Sequence, residues 1–211
     1  MSRGVQSTRH AGPPTGRGVR VFVIAHGDGP EIRGLVREVA PAAEVISLDI
    51  FVRRVAATAD LLERALAHAL RGGARVVLLP ASATDALGSS RVVERLRDAV
   101  RNRVVLVAPA IGGPRRLPPT LPDEVLGAAA DGRLRERSLR FVRGANFECR
   151  AGDTSHAAAA ARVSGAVACI LESRPRARLG DVRAALEFNF AAPKARGKLV
   201  VETDLNSWES R

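Results

Sequence analysis

The sequence predicts an α/β fold, a doubly wound parallel sheet flanked by helices, and three observations predict it. Short apolar runs rich in Val, Ile and Leu recur as VRVFVIA (19–25), EVISLDIF (44–51), ARVVLLP (74–80) and VVLVAPA (104–110). Runs of this kind suit strands buried on both faces. Between them lie segments of helical period, such as ATADLLERALAHALRGG (57–73). The regular strand–helix alternation calls for parallel strands joined by right-handed crossovers. A length of 211 residues with 46% hydrophobic content suffices for one sizeable core.

The elements follow in chain order. Residues 1–18 carry Gly, Pro and polar side chains without periodicity and are expected to form a mobile tail. The α/β domain is expected over 19–190. Pro30 suits the first turn of a helix reaching about Val39. In the helix of 57–73, glycines mark the end, and Asp60, Arg64, His68 and Arg71 share the polar face. His68 is therefore expected to face solvent and not to act as a ligand. SSRVVERLRDAVRNR (89–103) begins at a serine suited to cap a helix. EVLGAAA (124–130) and SLRFVRG (138–144) are shorter strand candidates, and LGDVRAALEF (179–188) is the last clear helix. Residues Ala157 to Ser173 are small or apolar in the early turns, which predicts a deeply buried, closely packed helix. Residues 191–211 form a C-terminal extension in which KLVVETDL offers an extra strand or an interaction arm.

Composition narrows the function classes. The net charge is +11, and Lys194 and Lys198 are the only lysines. The arginines are spread along the sequence, there is no Tyr and one Trp, so base stacking is poorly provided for and a nucleic-acid partner is not expected. An acidic peptide would also suit the positive field. No apolar run reaches membrane-spanning length and the N-terminus lacks a signal peptide's apolar core, so a cytoplasmic protein without a membrane partner is expected. Cys149 and Cys169 make neither a disulfide framework nor a metal motif, and no cofactor or metal is expected.

Three blocks resemble the subtilisin-like serine proteases. GVRVFVIAHG (18–27) is similar to the strand that ends in that family's catalytic aspartate. GDGPEIRGLVREVAPAAEVISLDIF (27–51) resembles its histidine helix and the strand beyond. SHAAAAARVSGAVACIL (155–171) resembles its serine helix, whose pattern is Gly-Thr-Ser-x-Ala-x-Pro-x-Val-Ala-Gly. The resemblance runs from about Gly18 to Phe188 and implies a subtilisin-like fold, truncated relative to a full protease core. Set in register on Gly165, the nucleophile position falls at Ala157, the motif threonine at His156 and the motif proline at Ala161. Set on Gly34 and Pro41, the histidine position falls at Asp28, and the strand places the aspartate position at Ala25. APAIGG (108–113) holds no asparagine where the family carries its oxyanion donor. Acyl transfer needs a nucleophile, a base, an orienting carboxylate and oxyanion donors. The resemblance thus implies a degenerate member, a pseudoprotease.

The alternatives are a rewired site or none. His26, Asp28, Ser155 and His156 form a polar cluster at strand ends and helix starts on one sheet edge. A slip of two residues would make Ser155 the nucleophile and His26 the base, with Asp28 or Asp153 as the third member. Two residues rotate a helix by about 200°, which misdirects its buried face. Ser155 and Asp153 also suit the cap and first turn of the helix. His26, Asp28 and His156 match no closed zinc spacing, and Cys149 has no clear base beside it. A disabled protease can still grip an extended peptide through main-chain hydrogen bonds. The segments expected to do so are Leu79, Pro80, Ala81 and Ser82, with Ala108, Ala110, Ile111 and Gly112 across the cleft, although Pro80 removes one donor. The expected function is a non-catalytic peptide-binding protein. It would hold a precursor or leader peptide, or dock on a maturation enzyme, in a bacterial ribosomal peptide natural-product pathway. The alternatives are an active peptidase or peptide cyclase using His26, Asp28 and Ser155, and a structural subunit of an enzyme assembly. A partner enzyme or a homodimer fits either non-catalytic reading.

Overall fold

The computed structural model describes residues 13–25, 29–50, 58–79, 86, 89–109, 125–130, 145–149, 156–189 and 199–201. The strands are β1 (Arg20–Ala25), β2 (Glu44–Asp49), β3 (Val76–Leu78), β4 (Val105–Pro109), β5 (Val125–Ala130), β6 (Ala145–Cys149) and β7 (Leu199–Val201). The helices are α1 (Gly29–Val39), α2 (Ala59–Arg71), α3 (Ser90–Arg101), α4 (His156–Ser173) and α5 (Leu179–Asn189). The strands form one sheet of order β2-β1-β3-β4-β5-β6-β7, and every pair is parallel. The expected doubly wound fold is present, and β7, which falls within KLVVETDL, pairs with β6.

The two-sided burial of the sheet explains its composition. On β1, Val21 and Val23 face a layer containing α1, α4 and α5, whereas Phe22 and Ile24 face α2 and α3. Each layer closes over its own apolar cluster, so neither face of the central strands meets water and continuous β-branched runs are tolerated. The α1 layer is the tighter. A Cβ added at Gly165 of α4 would stand 2.8 Å from both the Val36 carbonyl oxygen and Val39 Cβ of α1. Only hydrogen fits at that crossing. Around it, the Cys169 thiol donates to the Val39 carbonyl at 3.4 Å, and Arg162 pairs with Glu38 at 3.0 Å. The buried Ser164 hydroxyl turns back on its own helix to the Ala160 carbonyl at 2.8 Å, which satisfies it within the core.

Several local expectations are corrected. Residues 13–18, placed in the tail by composition, are fastened to the core. The backbone N–H groups of Thr15 and Gly16 donate to the Glu172 carboxylate at 2.5 and 2.7 Å, and Thr15 accepts from the Ala42 N–H at 2.9 Å. Gly16, at φ +79°, sits against Ala40, Ala43 and Ala168, where a Cβ would come within 2.8 Å of Ala40. Ser89 precedes α3 without making a side-chain cap bond, while Thr58 caps α2 by accepting from Leu61 N–H at 3.3 Å. The strand candidate at 138–144 lies outside the described residues, and the strand observed there in sequence order is β6, at 145–149. No described helix is long and apolar enough to cross a membrane.

Candidate functional site

The strand order defines where a ligand site belongs. From β1 the chain winds one way to β2 and the other way to β3 and beyond, so the order reverses at β1/β3. In open parallel sheets the crevice outside the carboxyl ends at such a switch point is the general binding position. Two helices begin at that edge. Three residues separate β1 from α1, and six separate β6 from α4. Both helices then run back under the sheet to their crossing at Gly165, eight residues beyond Ala157 and about 12 Å along the axis at 1.5 Å per residue.

Ala25 and Ala157 are both placed at this edge. Ala25 is the outermost residue of β1 and lies in register with Asp49 of β2. Ala157 is the second residue of α4, and its half-buried methyl packs against the α1-side core. A methyl group carries no lone pair, so neither position supplies a nucleophile, a base or a carboxylate. Asp49 is a carboxylate that sequence reasoning passed over as a strand residue. The available signal was a charged side chain closing an otherwise apolar run. His156 opens α4 and is half-buried. Burial pushes its imidazole below the ordinary histidine value, and the positive end of α4 acts in the same direction. His26, Asp28, Asp153 and Ser155 lie outside the described residues, and of the trio weighed for a metal only His156 is described.

The expected peptide-binding segments need correction at the two positions described. Leu79 and Ala108 are buried in the α2-side core, at 1% and 3% exposure. They do not face each other across a cleft, because β3 and β4 are adjacent and the Leu79 N–H is taken by the Val107 carbonyl at 2.8 Å. Leu79 therefore offers a peptide no main-chain donor. Pro80, Ala81, Ser82, Ala110, Ile111 and Gly112 lie outside the described residues. A separate open depression of about 480 Å³ lies at the outer edge of the sheet, lined by Leu48, Asp49 and Ile50 of β2 and its end and by Arg64, His68 and Arg71 of α2. His68 is exposed there as expected, with its ring edge-on to Phe22 at 6.3 Å between centroids.

The remaining thiol with a described side chain is inert. Burial, reinforced by the Glu172 carboxylate, pushes Cys169 up to about 12, far from the thiolate that nucleophilic sulfur requires. Cys149 closes β6, and its side chain is outside the described residues.

Comparison with solved structures shows the fold: the chain is structurally similar to subtilisin-like proteases. It superposes on a lanthipeptide protease with a TM-score of 0.63 and 12% identity, over 91% of this chain and 89% of that one. The self-cleaved protease domain of PatA matches with a TM-score of 0.64 and 17% identity, over 92% and 96%. Fervidolysin from Fervidobacterium pennivorans, a keratinolytic enzyme related to subtilisin, matches with a TM-score of 0.60 and 16% identity, over 91% of this chain and 42% of that chain. No protein-family model matches the sequence, and no curated protein matches it.

Proposed function

We propose that this protein is a non-catalytic peptide binder built on a peptide-cutting scaffold. It holds a precursor or leader peptide, or docks on a maturation enzyme, in a bacterial ribosomal peptide natural-product pathway. The observation that carries the reading is the crossing at Gly165. The resembled serine helix spaces its nucleophile eight residues before a glycine, and Gly165 is the glycine that α1 leaves no room to replace. Counting back eight residues reaches Ala157. A register that made Ser155 the nucleophile would instead require glycine at Val163, and Val163 is fully buried in the core. The aspartate position at the end of β1 is also an alanine, Ala25. Losing the members of a catalytic unit together leaves little beyond background hydrolysis. The presence of a lanthipeptide protease among the structural neighbours supports a peptide substrate class.

Two measurements test this. A fluorophosphonate probe leaves the protein unlabelled, and Ala157→Ser does not restore peptide hydrolysis, because one hydroxyl without its base and carboxylate is not activated. Calorimetric titration with precursor peptides encoded beside the gene gives saturable binding. Labelling at Ser155 would establish the rewired peptidase in its place, and the absence of any binding heat would leave the protein a structural subunit.

A further inference from the structure

The sheet topology places a set of the arginines dispersed in the sequence at one edge. In a parallel sheet all strands start, and the crossover helices end, at one edge, so strand starts and helix ends meet however far apart they lie in the chain. At this amino edge, opposite the candidate site, stand Arg17, Arg71, Arg103, Arg174, Arg176 and Arg178. All six are exposed, and none is ion-paired among the described residues. Other arginines join the edge into one surface. Arg20 donates from Nη1 to the Gly72 carbonyl at 3.0 Å and pairs with Glu44 at 2.7 Å. Arg75 donates from Nη2 to the Pro175 carbonyl at 2.7 Å. Arg101 pairs with Asp98 at 3.1 Å. The spread of the arginines along the sequence gives no sign of this placement.

Helix dipoles account for Arg71 and Arg101, which lie in the last turns of α2 and α3. They do not account for two others. Arg103 follows α3 with φ +60°, in the left-handed region, where the matching position after α2 is Gly73 at φ +72°. Arg178 stands at the head of α5, where its N–H donates to the Asp181 carboxylate at 2.8 Å and where a positive side chain is disfavoured by the dipole. Arginine occupies both positions against local preference.

We infer that the amino edge of the sheet is a docking surface for an acidic polypeptide segment of a partner protein. The guanidinium groups match carboxylates in bidentate geometry. The same surface also carries the carbonyl-bearing C-terminal ends of α2, α3 and α4, and the carboxylates of Glu44 and Asp98. A polypeptide offers N–H donors to those oxygens. A phosphodiester backbone has none and is repelled by them, so a nucleic acid fits this surface less well.

The test uses the full chain, with a fluorescein-labelled peptide of alternating Glu and Ala as the probe and fluorescence anisotropy as the readout. Binding is expected at low salt, weakening as salt rises. Reversing Arg103, Arg176 and Arg178 together to Glu lowers affinity about tenfold or more, whereas reversing Arg64 and Arg91 on the outer helical layer changes it by about twofold or less. Arg103→Gly separates docking from folding. It raises the melting temperature by relieving the positive φ and still weakens the peptide. Unchanged peptide binding by the triple variant overturns the assignment. So does tighter binding of duplex DNA that is lost in the same variant.

Discussion

Two helical glycines should respond to alanine with opposite signs. In the interior of a helix, Gly→Ala stabilises by about 0.5–1 kcal/mol through backbone entropy and propensity. Gly34 in α1 has nothing within 4 Å of an added Cβ, so Gly34→Ala should show this gain undiluted. Gly165 in α4 is the opposite case. Its added methyl would meet the Val36 carbonyl oxygen and Val39 Cβ, each at 2.8 Å. Both are fixed to the backbone of α1, so no rotamer change relieves them and one helix must move. Overpacking of this kind costs about 1–3 kcal/mol. Taking the upper half of that range, because the obstructing atoms are rigid, and subtracting the propensity gain leaves a net loss of about 1–2.5 kcal/mol. At about 2–4 °C per kcal/mol for a chain of this size, Gly165→Ala lowers the melting temperature by roughly 2–10 °C and Gly34→Ala raises it by roughly 1–4 °C. Thermal and urea unfolding followed by circular dichroism measure both. If Gly165→Ala stabilises as much as Gly34→Ala does, the helices do not touch there, and the register that places Ala157 at the nucleophile position loses its support.

Two further outcomes follow from buried groups. Cys169, pushed up to about 12, should resist alkylation by iodoacetamide at pH 8 in the native protein and react only with unfolding, as mass spectrometry of its tryptic peptide would show. His156 has a lowered folded value, so the unfolded chain binds its proton at higher pH than the native one. Its contribution is complete above the unfolded value near 6.5 and is lost as pH falls from there through the folded value. Stability should therefore drop as pH falls below about 6.5, and His156→Gln should flatten that part of the profile; an unchanged slope would show that the imidazole is not buried.

Much of the fold was legible because its strands are buried on both faces. VRVFVIA and VVLVAPA read as strands from composition alone, and the alternation of Val21 and Val23 with Phe22 and Ile24 over two layers is what such a run permits. What sequence did not convey was long-range. The binding of residues 13–18 depends on Glu172, more than 150 positions away, and Gly- and Pro-rich composition gives no sign of it. β6, with sequence ANFEC, lacks the β-branched residues that announce a strand, and its place is fixed by β5 and β7 on either side. The burial of Leu79 and Ala108 was not legible, because the pairing of β3 with β4, which takes the Leu79 N–H, cannot be seen in either strand separately. The basic surface was missed for a related reason: only the folded sheet brings the ends of distant elements together.

The two layers of the sheet also close at different stages of synthesis. The α2 and α3 side is made of consecutive elements and can shut as they leave the ribosome. The opposite side cannot: Val21, Val23, Val36 and Val39 are covered by α4, and the Cys169–Val39 contact alone spans 130 residues. A nascent chain stalled before His156 would carry these valines only partly covered, with α1 on β1 and no α4 over them. It would be prone to self-association and dependent on chaperones until α4 emerges.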